Sequence, residues 1–118
     1  MTIHFKSSKR FPQEGIEIQE LVGALALGNN DISIARIQCD PNWSEAAQTP
    51  EFDEYCCVIS GVLCIRTAEK VFSIGAGEAV LTPKGERVQY FTEPESGADY
   101  LSICLPAFKI EITHREEI

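Results

Sequence analysis

Glu54-Tyr55-Cys56-Cys57-Val58-Ile59-Ser60-Gly61 and Gly77-Glu78-Ala79-Val80-Leu81-Thr82-Pro83-Lys84-Gly85 carry the clearest strand and turn pattern in the chain. An apolar strand is predicted from Phe52 to Ile59. Ser60-Gly61 reads as a turn and Val62 to Thr67 as the returning strand of a hairpin. Short strands are predicted at Val71 to Ile74 and at Glu78 to Thr82. Pro83-Lys84-Gly85-Glu86 has Pro and Gly where a turn accepts them, and Arg87 to Thr92 continues as a strand.

The same pattern extends outward in both directions. Ile16 to Leu27 reads as a long strand, Gly28-Asn29-Asn30-Asp31 as a turn whose residues tolerate positive φ, and Ile32 to Cys39 as its return. A non-alternating loop runs from Asp40 to about Pro50 and holds two prolines and Trp43. Beyond the polar turn Glu93 to Gly97, Tyr100 to Leu105 is an apolar strand. Pro106 interrupts it, and Phe108 to Thr113 is expected as a final edge strand. Short strands with regularly spaced turns imply an all-β sandwich or barrel, not a parallel sheet with crossover helices. One domain over residues 1–118 accounts for the chain, with its core at about 31–106.

Composition narrows the function classes. With 44% hydrophobic and 24% charged residues among 118, the chain has the balance of a globular domain. The stretch Met1 to Arg10 has no apolar run of the kind a signal peptide or membrane anchor needs, which makes a cytoplasmic location without membrane partners the expectation. A formal net charge of −8 opposes nucleic-acid binding, which needs a basic face to neutralise phosphates. Cys39, Cys56, Cys57, Cys64 and Cys104 show no paired C-x-x-C spacing. Each lies in an apolar stretch and reads as a reduced, small core residue.

Two spacings carry a family resemblance. Glu54, six residues, Gly61 resembles the end of the first signature motif of the cupin superfamily, and Gly77, five residues, Pro83, one residue, Gly85 resembles the start of the second. The resemblance covers about residues 31–106 and implies a cupin-type double-stranded β-helix, a jelly-roll barrel. Many members hold a metal with three histidines and the motif Glu. Here the positions of the first two histidines carry Gln48 and Pro50, or Ala47 and Thr49. The position of the third carries Val88, and Thr92 stands at that of a following Asn. Only Glu54 is retained. The chain contains two histidines in all, His4 and His114, so no three-histidine centre can form within one chain. An iron or copper site of the dioxygenase kind is therefore disfavoured.

Alternation puts Glu54, Cys56 and Val58 on one face, which in a cupin looks into the barrel. A carboxylate buried there has a raised pKa unless a cation or donor holds it, and Arg36, Arg66 or Arg87 are candidates for that pairing. Tyr90 shares its face with Val88 and is expected to point inward. Glu54 and Tyr90 are then candidate acid/base or anchoring groups, or else a core carboxylate and a core phenol with ordinary partners. Gln48, Arg87 and Trp43 are candidate ligand contacts. Trp43 either caps the barrel mouth or anchors its own loop.

Asp40, Glu45, Glu51, Asp53 and Glu54 lie close in sequence without an intervening Lys or Arg. They form a solvated acidic surface or, if several converge on the barrel mouth, a site for a cationic ligand or a hard divalent ion, since magnesium, calcium and manganese prefer oxygen ligands. The resulting expectation is a pocket for a small polar organic ligand without a cofactor. Isomerisation, epimerisation or elimination is the chemistry suited to a carboxylate and a phenol. The alternatives are one divalent metal ion on Glu54, Glu51 or Asp53, Gln48 and His114, or a non-catalytic sensor or assembly module. The resemblance also implies a homodimer.

Overall fold

The structure is a computed structural model that describes residues 1–6, 8–24 and 30–117. Eight strands follow in order: β1 (Lys9–Gln13), β2 (Ile16–Val22), β3 (Ser33–Cys39), β4 (Asp53–Arg66), β5 (Val71–Gly75), β6 (Ala79–Thr82), β7 (Gln89–Phe91) and β8 (Ala98–Leu105). All pairs are antiparallel. One sheet runs β1-β2-β3-β8-β4-β6, and the second pairs β5 and β7 with the other half of β4.

The all-β expectation holds, and three details differ from it. Ser60-Gly61 is not a hairpin turn. β4 passes straight through it, pairing with β6 and β8 over its first half and with β5 and β7 over its second. A register shift between Val58 and Ser60 marks the bulge, and the strand changes sheets there. Gly61 has φ +75°, and a Cβ at this position would lie 2.1 Å from the Gly97 carbonyl oxygen. The residue is required for a corner of the barrel, where a bulge bends the strand.

Second, β1 occupies a stretch too polar to show alternation. It is an edge strand joined to β2 by the turn at Gly15, φ +79°. Third, residues 108–113 form no edge strand. They coil into a short 3-10 turn, Ile110–Ile112, and the tail runs back along the loop from Asp40, with Thr49 and Glu51 N–H donating to the Thr113 and Ile112 carbonyls. Of the long strand expected over 16–27, the described part ends at Val22. Residues 25–29, and with them the start of the expected turn, lie outside the described residues.

The inward faces of both sheets form the core. Cys56, Leu63, Cys64 and Ile65 are essentially inaccessible, with Val88, Tyr90 and Tyr100 nearly so. Period two sends Glu54, Cys56 and Val58 inward on β4 while Tyr55 and Ile59 stay outside, whereas the consecutive Leu63, Cys64 and Ile65 are buried on both faces of the strand. Cys39, Cys56, Cys64 and Cys104 are buried as expected, whereas Cys57 is half-exposed on the outer face.

Candidate functional site

A cavity of about 520 Å³ opens inside the larger sheet, walled by the inward faces of β2, β3, β4 and β8 and by the loop from Asp40. Its walls are mostly apolar, with Ile16, Ile18, Ala35, Ile37 and Tyr100 from the larger sheet and Trp43 from the loop. A concave apolar chamber with a few convergent polar groups is the usual form of a small-molecule site.

Glu54 lies on the cavity wall, 7% exposed. Its Oε1 accepts from the Tyr90 hydroxyl at 3.0 Å, and its Oε2 accepts from Ser102 Oγ at 2.6 Å and from the Cys56 thiol at 3.6 Å. Tyr90 Oη is also 2.8 Å from Thr82 Oγ1. With the phenol proton directed to Glu54, the Thr82 hydroxyl is the donor of that bond. Every one of these groups is placed by strand register. Glu54 pairs with Cys104 on β8 and with Thr82 on β6, so Ser102 and Cys104 face the cavity from β8 while Tyr90 enters from β7.

Burial pushes the Glu54 carboxyl up from the ordinary range, against the opposing pull of the Ser102, Tyr90 and Cys56 donors and the field of Arg115. Burial, then the nearby Glu54 charge, raises Tyr90 well above the usual phenol value, which keeps it a neutral donor. Cys56 is raised by the same two causes.

A second polar group sits beside the first. Glu45 and Gln48 come from the loop and Arg115 from the tail. Arg115 Nη2 donates to Gln48 Oε1 at 2.9 Å and lies 3.4 Å from Glu45 Oε2. Burial raises Glu45 to about 7; Arg115 opposes the shift and Glu54 adds to it. The two carboxyls therefore sense one another across the cavity.

Of the residues singled out by sequence, Glu54, Tyr90, Gln48 and Trp43 all line this cavity. Trp43 is anchored as well as exposed to it. Its backbone exchanges hydrogen bonds with Thr92, and the ring rests on the Gly15 turn. Arg87 does not itself line the cavity: its guanidinium is exposed and donates to Glu116 at the rim. Nor does any of the arginines expected to neutralise Glu54 do so. Arg36 pairs with Asp99, and Arg66 bonds Gln89 and covers the Phe91 ring.

The acidic stretch also divides. Glu51 bonds His114 at the exposed surface, and Asp53 accepts from the Lys84 N–H in the turn after β6. Glu45 and Glu54 alone turn inward. The residues expected for a divalent ion, Glu54 with Glu51 or Asp53 and His114, are thus split between the interior and two surface contacts. Among the described residues no three His, Cys, Asp or Glu side chains are grouped to hold a metal. The metal site of the cupin resemblance does not fit this chain, because its imidazole positions hold amide, apolar or hydroxyl side chains.

Ser102, Arg115 and Glu20 were missed in the sequence, whereas Glu45 was read there as one member of the acidic stretch. Ser102 and Glu20 had a signal, since alternation places them with Tyr100 and Cys104 and with Ile16 and Ile18. Arg115 had none, lying in a tail without periodicity, and nothing in the loop told Glu45 from its acidic neighbours.

Solved structures that share this architecture settle the fold. The polyketide cyclase RemF of Streptomyces resistomycificus superposes with a TM-score of 0.71 at 17% identity, covering 97% of this chain and 89% of its own. Pac13, a nucleoside dehydratase of Streptomyces, gives 0.77 at 15% identity, covering 100% and 92%. The barrel is a cupin fold. At such identities the likeness concerns architecture and nothing finer. No family model matches the sequence. A curated relative in Myxococcus xanthus, named Endoribonuclease YbeY, is 40% identical over 115 residues. The match spans 97% of this chain but 39% of that protein. No helix among the described residues is long and apolar enough to cross a membrane.

Proposed function

We propose that the cavity binds a small polar organic molecule and that Glu54 and Tyr90 exchange a proton with it, the chemistry of isomerisation, epimerisation or elimination. The observation that carries this reading is the 3.0 Å hydrogen bond between Tyr90 and Glu54 at the cavity wall. A buried carboxyl whose pKa is raised is suited to act as a general acid or base. A phenol held neutral beside it supplies a hydrogen bond to an oxygen that gains charge. Thr82 behind Tyr90 lets the hydroxyl chain reorient when Glu54 is protonated.

The structural relatives lend support at the level of class. One is named a dehydratase and one a cyclase, and Pac13 variants are described with uridine. The name of the Myxococcus relative belongs to a protein that this chain covers by two fifths. Its ribonuclease chemistry is not part of this proposal, since formal charge −8 and a carboxyl-lined cavity both repel a phosphodiester. The reading also includes a cytoplasmic location, which five free thiols suit.

It includes a homodimer as well. The cross-strand row Leu81, Tyr55, Ile103, Ile34, Val22 makes a continuous apolar stripe on the outer face of the larger sheet, and a second copy of the same acidic chain is the occupant proposed for it.

The test is proton exchange. Ligands found by thermal shift are incubated in D2O with the wild type, Glu54→Gln and Tyr90→Phe, and deuterium entry at carbon is followed by NMR. The wild type is expected to exchange an acidic C–H roughly 10²-fold or more faster than Glu54→Gln, the usual scale of a general base. A ligand that binds wild type and Glu54→Gln alike with no exchange in either would sink the catalytic reading in favour of a binding module.

A further inference from the structure

The lining of the cavity is unbalanced in charge. Five of its residues are glutamates, Glu14, Glu20, Glu45, Glu54 and Glu116. Arg115 is the one Lys or Arg among the described lining residues, and it is already engaged by Gln48 and Glu45. Glu14 and Glu116 stand at the exposed rim, where Glu116 is held by Arg87. Glu20 and Glu54 are buried and Glu45 nearly so. Between the carboxyls the walls present aromatic faces, with Trp43 and Tyr100 lining the chamber and Phe11 and Phe108 toward its ends.

From this we infer that the cavity selects an organic cation, a compact apolar body carrying one protonated amine, with the ammonium set between Glu45 and Glu54 and the body against the aromatic walls. The inference rests on the pocket reading above and deepens it to a ligand class. An anion entering this chamber would meet desolvated carboxyls with no free cation to pair with it. A neutral ligand finds acceptors but adds no charge to balance the carboxyls. An ammonium adds charge-assisted hydrogen bonds to them and gains from the ring faces. Burial is the main cause that raises Glu45 to about 7, and the smaller push from the Glu54 charge is relieved by the same cation. Low dielectric strengthens the preference, because the chamber is walled largely by aliphatic and aromatic side chains.

The test uses three molecules of one shape: 2-phenylethylamine, 2-phenylethanol and phenylacetate. The chain has a single tryptophan, and it lines the cavity, so quenching of Trp43 fluorescence at pH 7.5 reads occupancy, with melting temperature as a second readout. The amine is expected to bind at least about tenfold more tightly than the alcohol, the scale of one charge-assisted contact, and the carboxylate most weakly. In Glu45→Gln that preference should fall several-fold. Glu14→Gln, on the exposed turn, serves as a variant whose folding is not at issue, and it should weaken the amine by less.

Equal binding of amine and alcohol would overturn the charge preference while leaving the pocket itself intact. Tighter binding of phenylacetate would overturn it outright. If none of the three perturbs Trp43 or the melt at millimolar concentration, the cavity does not admit a ligand of this size, and both readings fall together.

Discussion

Replacing Glu45 with glutamine should flatten the pH dependence of stability, and the size of the effect follows from where the side chain sits. Its pKa rises from the ordinary 4.5 to about 7 on folding, chiefly through burial. Between those values the folded protein holds a proton that the unfolded chain would release. Stability linked to this group is therefore fully present below pH 4.5 and is lost as pH rises through 7. At 1.36 kcal/mol per unit the loss comes to about 3 kcal/mol, and the 18% exposure of the side chain leaves little solvent to screen it.

Glu45→Gln keeps the shape and removes the titration. The stability of the variant minus that of the wild type should then move in the variant's favour by about 3 kcal/mol from pH 4 to pH 8, or roughly 10 °C in melting temperature for a domain of this size. Urea unfolding followed by Trp43 fluorescence at several pH values measures it, and the subtraction cancels carboxyls that behave alike in both proteins. A difference that stays flat with pH, or that favours the wild type increasingly toward pH 8, would show that the 3.4 Å contact with Arg115 outweighs burial and would refute the reasoning.

Gly61→Ala combines a positive φ with a Cβ placed 2.1 Å from the Gly97 carbonyl oxygen. A loss of about 2 kcal/mol or more is expected by chemical denaturation, and a loss below 0.5 kcal/mol would show that the β4 corner relaxes easily. Thiol titration of the native protein should label Cys57 first. Cys39, pushed up to about 12 by burial and the charges of Glu45 and Asp40, and the buried Cys56 and Cys104 should react only on unfolding; rapid labelling of several cysteines would contradict their packing. Light scattering at micromolar concentration should give the mass of two chains, and Tyr55→Lys with Ile103→Lys should give one; a wild-type monomer would remove the dimer from the proposal.

Much of the barrel is legible in the sequence because strand structure is written with a local period. Alternation is enough to send Glu54, Cys56 and Val58 inward on β4 and to put Tyr90 on the face of Val88, and both placements appear in the structure. Turn chemistry at Pro83 to Gly85 and at Glu93 to Gly97 likewise needs only neighbours in the chain. The same local reading went wrong at Gly61, because a positive φ is needed equally by a hairpin and by a strand that bends between sheets. What separates the two is the Gly97 carbonyl packed against it, and that is a long-range contact.

The cavity chemistry divides along the same line. That an acidic, histidine-poor chain carries a carboxylate inside a barrel was decided by the order of residues, as was the loss of a three-histidine centre. Which donors hold that carboxylate was decided only by folding. Ser102 is brought to Glu54 from 48 positions away and Arg115 to Gln48 from 67. Glu45 and Glu51 come from one acidic stretch, yet one faces the cavity and the other water. Their fates depend on where the loop crosses β7 and where the tail returns, and no periodicity in either segment records it. Burial sets the charge state of these groups, and burial is a property of the whole barrel.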